Sequence, residues 1–309
     1  MNTPKVAVML ATYNGEQFIS EQLLSIIKQK NIKVDLYISD DRSSDSTIEI
    51  VNDFAKKKPN LLIKTFIGSG KGFAKNFISI LNKIELEYEY YAFSDQDDLW
   101  DLDKIDKAIS CLKKYDNSNE NLYFSRTKII DCNGKQLGMS PNFKRQPVFK
   151  NALVQSIGGG NTCVFNKKTF DTILKLTSDN DFDYVSHDWL IYLIITAVDG
   201  NVFYDKNSYI NYRQHKANII GSNRSFKSKY KRLYDVFVNE VYVDWNDSHI
   251  KILDKLDIHP KNKYTYLSYK KCKDKSIWIR AKNFIGSGIH RQNRLNSFLL
   301  FLSVLFRKF

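Results

Sequence analysis

Three β-prone apolar runs in the first hundred residues each stop at a polar cluster. That repetition constrains the fold more than any other feature of the 309-residue chain. Residues 6–11 run into Thr12-Tyr13-Asn14-Gly15, residues 34–39 into Asp40 and Asp41, and residues 90–94 into Asp95-Gln96-Asp97-Asp98. Helical spacing fills the gaps: Phe18, Leu23, Leu24, Ile26 and Ile27 within 16–29, then Ile48, Val51, Phe54 and Ala55 within 45–57. A further strand at 61–66, a glycine-rich turn at 68–72 and a helix at 73–84 complete the pattern. Strands apolar on both faces and alternating with helices predict an α/β fold with a mostly parallel sheet, covered on both sides. Ligands of such sheets lie beyond the carboxyl ends of the strands, so the three polar clusters should converge on one rim.

Beyond Trp100 the spacing predicts a helix at 104–114 and a strand at 122–130 with a turn at 131–134. Residues 152–156 and 162–165 read as strands about the tight turn Gly158-Gly159-Gly160, and 168–176 as a short helix. Residues 188–198 have helical periodicity, with a strand as the alternative; 202–204 and 209–212 read as short sheet elements, and the chain from Phe226 as largely helical. The four cysteines stand far apart with no C-x-x-C pair, which argues against structural zinc and a disulfide framework and for a reducing, cytoplasmic setting. The apolar N-terminal stretch is too short for a signal or spanning segment.

The net charge of +13 is unevenly spread: residues 221–309 hold 19 Lys/Arg against 7 Asp/Glu, leaving +1 for residues 1–220. Residues 260–309 hold 12 basic residues and one acidic one, Asp274. A nearly neutral body with an acidic rim argues against nucleic-acid binding. A basic tail, with aromatic residues among its lysines and the apolar run 298–306, points to an anionic membrane surface. Nine residues cannot span a bilayer but can lie at its surface; packing on the body is the alternative for that run.

The acidic cluster carries the candidate chemistry. Hard divalent cations take carboxylate oxygens, with substrate phosphates completing the shell. Asp95 and Asp97, two apart at a strand end, can both reach the rim, while Asp98 fits equally as a cap for the following helix. Asp40 and Asp41 can accept hydrogen bonds from a nucleoside, although Asp40 also suits an Asx-turn. The turn Gly68-Ser69-Gly70-Lys71-Gly72 lacks the phosphate-loop spacing, so Lys71 is either near a phosphate or in a simple turn. Asp188 can serve as a general base or an N-cap. Arg213 and His215 offer an arginine fork and a metal-ligating imidazole.

Taken in order, Thr12-Tyr-Asn-Gly15, Ser39-Asp-Asp-Arg-Ser-Ser-Asp-Ser-Thr47, Gly72-Phe-Ala-Lys-Asn76, Ser94-Asp-Gln-Asp-Asp-Leu-Trp100 with Lys104, Gly159-Gly-Asn-Thr162, His187-Asp-Trp189 and Tyr212-Arg-Gln-His215 resemble the family 2 glycosyltransferases. Within that family they are similar to the rhamnosyltransferase-like branch of bacterial surface-polysaccharide enzymes. The resemblance covers residues 5 to about 220 and implies a GT-A fold with a nucleotide-binding half at 1–100, an acceptor-side half at 101–220 and a basic helical extension at 221–309. It implies that Thr12, Tyr13, Asn14, Asp40 and Asp41 hold the nucleoside, with Lys71, Lys75, Asn76, Asp95, Gln96 and Arg213 on the donor side. Asp97 and His215 would bind Mg²⁺ or Mn²⁺, and Asp188 would be the catalytic base. Trp100, Gly160, Asn161, His187 and Trp189 would lie on the acceptor side.

The implied reaction is inverting transfer of one sugar from a nucleotide-sugar donor, dTDP-L-rhamnose first, to a polyprenyl-diphosphate-linked or growing surface glycan. UDP-galactose, UDP-glucose and UDP-N-acetylhexosamine are the alternative donors. The Q-x-x-R-W motif and paired transmembrane helices of processive synthases are absent from the sequence. Peripheral attachment at the inner face of a bacterial membrane and a homodimer complete the expectation. An inactive carbohydrate-binding homologue and a nucleotidyltransferase are the competing classes.

Overall fold

The computed structural model describes residues 3–178, 182–215 and 241–309. Strands β1 (Lys5–Thr12), β2 (Lys33–Asp40), β3 (Ile63–Ile67) and β4 (Tyr90–Ser94) alternate with helices α1 (Ile19–Ile27), α2 (Thr47–Lys56) and α3 (Phe73–Leu81). They pair in parallel in the order β3-β2-β1-β4. Seven of the eight residues of β1 and of β2 are buried, which requires apolar cover on both faces. Alternation along β1 supplies it: Val6, Val8 and Leu10 pack with Ile19, Leu23 and Ile26 of α1. Ala7 and Met9 belong to the core on the other side, with Phe77, Ile80 and Leu81 of α3.

The second half comprises β5 (Leu99–Trp100), α4 (Lys104–Leu112), β6 (Asn121–Ile130), β7 (Gln136–Met139), α5 (Phe149–Ala152), a 3₁₀ turn (Gly160–Thr162), β8 (Val164–Asn166), α6 (Lys167–Ser178), α7 (His187–Ala197) and β9 (Asn201–Arg213). The sheet runs on as β4-β8-β6-β9-β5, with β7 beside β6. Here the expectation of a mostly parallel sheet is corrected. The β4–β8, β6–β8, β6–β7 and β5–β9 pairs are antiparallel, so the sheet is mixed. The cause is local: the 3₁₀ turn brings the chain to the rim where β4 ends, so β8 starts opposite Ala92 and runs back to Tyr90.

Residues 152–156, expected as a strand, leave α5 and take no place in the sheet. The carbonyls of this segment are engaged by side chains: Trp189 Nε1 donates to Ala152 O at 2.6 Å, and Arg291 Nη2 to Val154 O at 2.9 Å. The two short elements expected at 202–204 and 209–212 are one strand, β9, whose register against β6 shifts at Ser125/Arg126. α7 is buried on nearly every side, which explains why its sequence lacks a polar face.

Helices α8 (Val241–Leu253), α9 (Pro260–Lys271), α10 (Ile277–Ser287) and α11 (Arg294–Leu305) follow. Their Ile252, Tyr269, Leu300, Val304 and Phe309 join the same core as α3 and α7. Asn262 Nδ2 donates to Thr196 O at 2.9 Å, adding to the Asp199 amide that this last-turn carbonyl of α7 accepts at 3.3 Å. Among the described residues, no helix is long and apolar enough to cross a membrane.

Candidate active site

The three strand-end clusters meet on one rim because β2, β1 and β4 are parallel neighbours. Much of the polar chemistry at this rim joins the loops to one another. Gln96 Oε1 accepts from Thr12 Oγ1 at 2.5 Å and from the Tyr13 amide at 2.8 Å, and its Nε2 donates to Tyr13 O at 3.0 Å. A Cβ on Gly15 would stand 2.3 Å from Gln96 Oε1, so this approach needs a glycine. Asn14, at φ 47°, accepts from the Ser44 amide at 2.9 Å and joins the first loop to the second. Asp40 closes its own loop by taking the Ser43 amide, three residues on, at 2.9 Å together with the Ser43 hydroxyl, in place of the expected Asx-turn. Asp41 accepts from the amides of Gly70 at 2.5 Å and Gly72 at 3.3 Å, which shapes the glycine-rich turn carrying Lys71.

Several expected donor-side residues are engaged within the protein. Asn76 is buried, accepting from Ser39 Oγ at 2.5 Å and donating to Ser39 O at 3.0 Å. Lys75 donates to Phe182 O and sits 5.0 Å over the Tyr184 ring. The Arg213 guanidinium, also buried, donates to Asp97 O at 2.9 Å, Cys132 O at 2.8 Å and Glu21 Oε2 at 2.7 Å, and lies over Phe18. It braces the acidic loop from behind.

The acidic cluster divides into distinct roles. The Asp97 carboxylate meets His215 Nε2 at 2.6 Å, so the two expected metal ligands stand together. Asp98 does not cap α4, whose N-cap is Asp103. It is buried, accepting from Asn161 Nδ2 at 2.6 Å and from the Arg213 amide at 3.3 Å. Asp95 is half-buried, and burial pushes its carboxyl well above the ordinary range, with the charges of Asp97 and Asp188 adding to the effect. Asp98 is raised by burial, then by Asp97 and Asp95. Beneath them Lys104 is buried with no hydrogen-bond partner on Nζ among the described residues, 3.4 Å from the Trp100 ring centroid. Burial brings this lysine down to about 7 against the pull of Asp98.

Asp95, Asp97, Asp98 and Asp188 act on one another as like charges here, a repulsion that a bound cation would relieve. Among the described residues no group of three or more His, Cys, Asp or Glu side chains is arranged around a metal position. The Asp97–His215 pair suits a cation that takes its remaining ligands from substrate oxygens.

Asp188 lies in the first turn of α7, behind the N-cap Ser186. Its carboxylate is half-exposed, accepts from Ser156 Oγ at 3.1 Å, and faces Asp95 closely enough to raise it. The other residues expected on the acceptor side are placed differently. Trp100 is buried in the core on the α1 side of the sheet. Trp189 is buried with its ring 5.4 Å from Trp245 and 4.7 Å from His249, anchoring α8. His187 is buried, stacked 3.9 Å from Phe77, with neither ring nitrogen hydrogen-bonded among the described residues. A Cβ on Gly160 would fall 1.9 Å from His187 Nε2, so Gly160 serves this packing. Asn161 holds Asp98 from the same turn.

Residues that the sequence did not mark for the site complete it. Ser156 holds Asp188, Glu21 pairs with Arg213, and Phe18 packs 5.1 Å from His215. Phe18, Glu21 and Gln22 sit at helical spacing, and Gln22 donates to Ser94 at 2.6 Å at the end of β4. That spacing was the available signal; a buried glutamine on an apolar helix face marks it.

Comparison with known proteins agrees with this geometry. Residues 7–174 match the family described as Glycosyl transferase family 2. The chain is 37% identical over 229 residues to the dTDP-rhamnosyl transferase RfbG of Shigella flexneri, covering 72% of this chain and 78% of the relative. It is 28% identical over 240 residues to the UDP-Glc:alpha-D-GlcNAc-diphosphoundecaprenol beta-1,3-glucosyltransferase WfgD of Escherichia coli, covering 75% of this chain and 84% of that protein. Among solved structures, S. aureus TarS 1-349 in complex with UDP is similar at 17% identity with a TM-score of 0.51, covering 98% of this chain and 90% of that one. The architecture is therefore α/β and GT-A-like, and the chain belongs to glycosyl transferase family 2.

Proposed function

We propose that this glycosyltransferase moves one hexosyl residue, with inversion, from a pyrimidine nucleoside diphosphate to a hydroxyl of a lipid-linked surface glycan. The observation that carries the reading is the convergence of Asp97 and His215, at 2.6 Å, on the rim that also presents Asp95 and Asp188. In this reading the Thr12–Tyr13 loop, held by Gln96, and the Asp40–Asp41 loop cradle the nucleoside. Asp95 faces the ribose or sugar. Asp188, steadied by Ser156 on one oxygen, takes the proton of the acceptor hydroxyl as that oxygen attacks the anomeric carbon and the nucleoside diphosphate leaves on the opposite face. Mg²⁺ or Mn²⁺ on Asp97 and His215 would offset the charge of the departing diphosphate.

We place UDP-linked hexoses and N-acetylhexosamines ahead of dTDP-L-rhamnose. The relative named for UDP-glucose acts on a diphosphoundecaprenol-linked sugar, an acceptor class that suits a chain with a basic, partly apolar C-terminal region. The second reading, dTDP-L-rhamnose, is favoured by the relative at 37% identity. Thermal stabilisation and metal-dependent hydrolysis with a panel of UDP-hexoses, dTDP-L-rhamnose and GDP-mannose test both. Stabilisation by one pyrimidine nucleotide sugar is expected, and no response to any of them would overturn the assignment.

A further inference from the structure

The C-terminal helices expose apolar side chains in a regular arrangement. On α9 the residues Tyr264 and Leu267 stand outward, on α10 Trp278 and Ile285, and on α11 Leu295 and Phe298. Each pair follows the i, i+3 or i, i+7 spacing of a single helix face. The exposures are large for such residues: 82% for Trp278, 73% for Ile285 and 56% for Phe298. The three helices are joined side by side. A Cβ on Gly286 would stand 2.9 Å from Tyr264 Oη, and Phe284 and Phe301 pack 5.0 Å apart. Arg280 ties the start of α10 to the end of α11 through Val304 O at 2.8 Å and Leu305 O at 2.6 Å.

The run at 298–306 is thus divided between two environments. Leu300 and Val304 enter the body's core, while Phe298 and Phe306 remain outside. Tyr266 and Tyr269, which the sequence groups with Tyr264, are buried.

The charges beside this face are predominantly positive, Asp274 being the one acidic residue in 260–309. Lys271, Lys275, Lys282 and Arg294 are exposed, with no carboxylate partner among the described residues. Lys261, Lys270 and Lys273 instead pair with Asp199, Asp254 and Asp247 respectively, so those three are neutralised. A second copy of the chain would bring like charges together across this surface, whereas an anionic lipid headgroup layer complements them. Tryptophan and tyrosine beside lysine suit the boundary between headgroups and acyl chains.

We infer that the outer face of α9, α10 and α11 is a docking surface for an anionic membrane, inserting Trp278, Ile285 and Phe298 at headgroup depth. The inference concerns a face separate from the Asp97–His215 site, so its failure leaves the transfer reading untouched. The test is cosedimentation of the full chain with vesicles of phosphatidylcholine alone or mixed equally with phosphatidylglycerol. Binding is expected only to the mixed vesicles, with weakening at high salt and a blue shift of tryptophan emission. The pair Trp278→Ala and Phe298→Ala should lower binding by about tenfold or more. The pair Lys271→Glu and Lys282→Glu should lower it by at least about fivefold per charge. Both variants should keep the wild-type melting temperature. Equal partition into both vesicle types, no binding, or unaltered binding by either variant would overturn the inference. A dimer in light scattering that Trp278→Ala converts to a monomer, without vesicle binding, would assign the face to a second copy instead.

Discussion

His215 Nε2 stands 2.6 Å from the Asp97 carboxylate although 118 positions separate them in the chain. The contact exists because β9 runs to the rim beside β6 and its last residue, Arg213, grips the loop carrying Asp97 through Asp97 O. Asp97→Ala is expected to reduce transfer by about a thousandfold or more, since a cation at a leaving diphosphate contributes several kcal/mol. Its melting temperature should stay near wild type. His215→Ala should shift the divalent-metal titration to higher concentration. Undiminished turnover in a chelator would remove the metal assignment.

Asp188→Asn keeps the shape and the Ser156 contact but cannot accept a proton. A fall in kcat of about 10² to 10⁴ is expected, with little change in donor KM. Steady-state kinetics at saturating acceptor decides it; a normal kcat would take the base role from Asp188.

His187 gives the protein an acid limit. Burial lowers its pKa from 6.5 to about 4, so the folded state holds the ring neutral where the unfolded chain is protonated. The unfolded state then binds more protons between those values, and stability falls as pH drops from about 6.5 toward 4. His249, lowered to about 4 by the same cause, adds to the slope. His187→Leu should reduce the difference in melting temperature between neutral and acid pH, whatever its own stability. An unaltered difference would mean that His187 is not held neutral.

Gly160 has no room for a methyl group, because a Cβ would lie 1.9 Å from His187 Nε2. Gly160→Ala should destabilise by about 1–3 kcal/mol in urea titration. Combining it with His187→Ala should recover part of that loss, a coupling that a double-mutant cycle reads directly. Strict additivity would show that the two positions do not interact.

The first half of the fold was legible in the sequence because each strand there carries its own signal. Residues 6–11 and 90–94 are largely apolar on both faces and 34–39 on one, and each ends in polar residues at the rim. The second half was less legible. The segment at 152–156 is β-prone by composition, yet its carbonyls are taken by Trp189 and Arg291, whose proximity no local pattern encodes. The antiparallel course of β8 likewise follows from where its chain enters the sheet.

The site divides in the same way. Polar groups after strands identified Asp95 and Asp97 as candidates, since ligand-facing residues of a covered parallel sheet collect there, whereas Asp188, at the start of α7, was indicated by the family resemblance. Motif order could not separate groups that face the open rim from groups that brace it. Asn76, Trp100, Arg213 and Trp189 are all buried in polar or apolar contacts of their own.

Local chemistry, carried by the order of residues, determined the family, the βα alternation and the acidic rim. Tertiary structure alone decided that Asp98 is held by Asn161 and does not cap α4, that Arg213 is a strut, and that His187 is a core ring. Helix and strand periods depend on neighbours in the chain, whereas burial and hydrogen-bond partners depend on segments that meet only after folding. The opening repetition of strand and polar cluster thus named the rim, and packing behind it assigned each side chain its role.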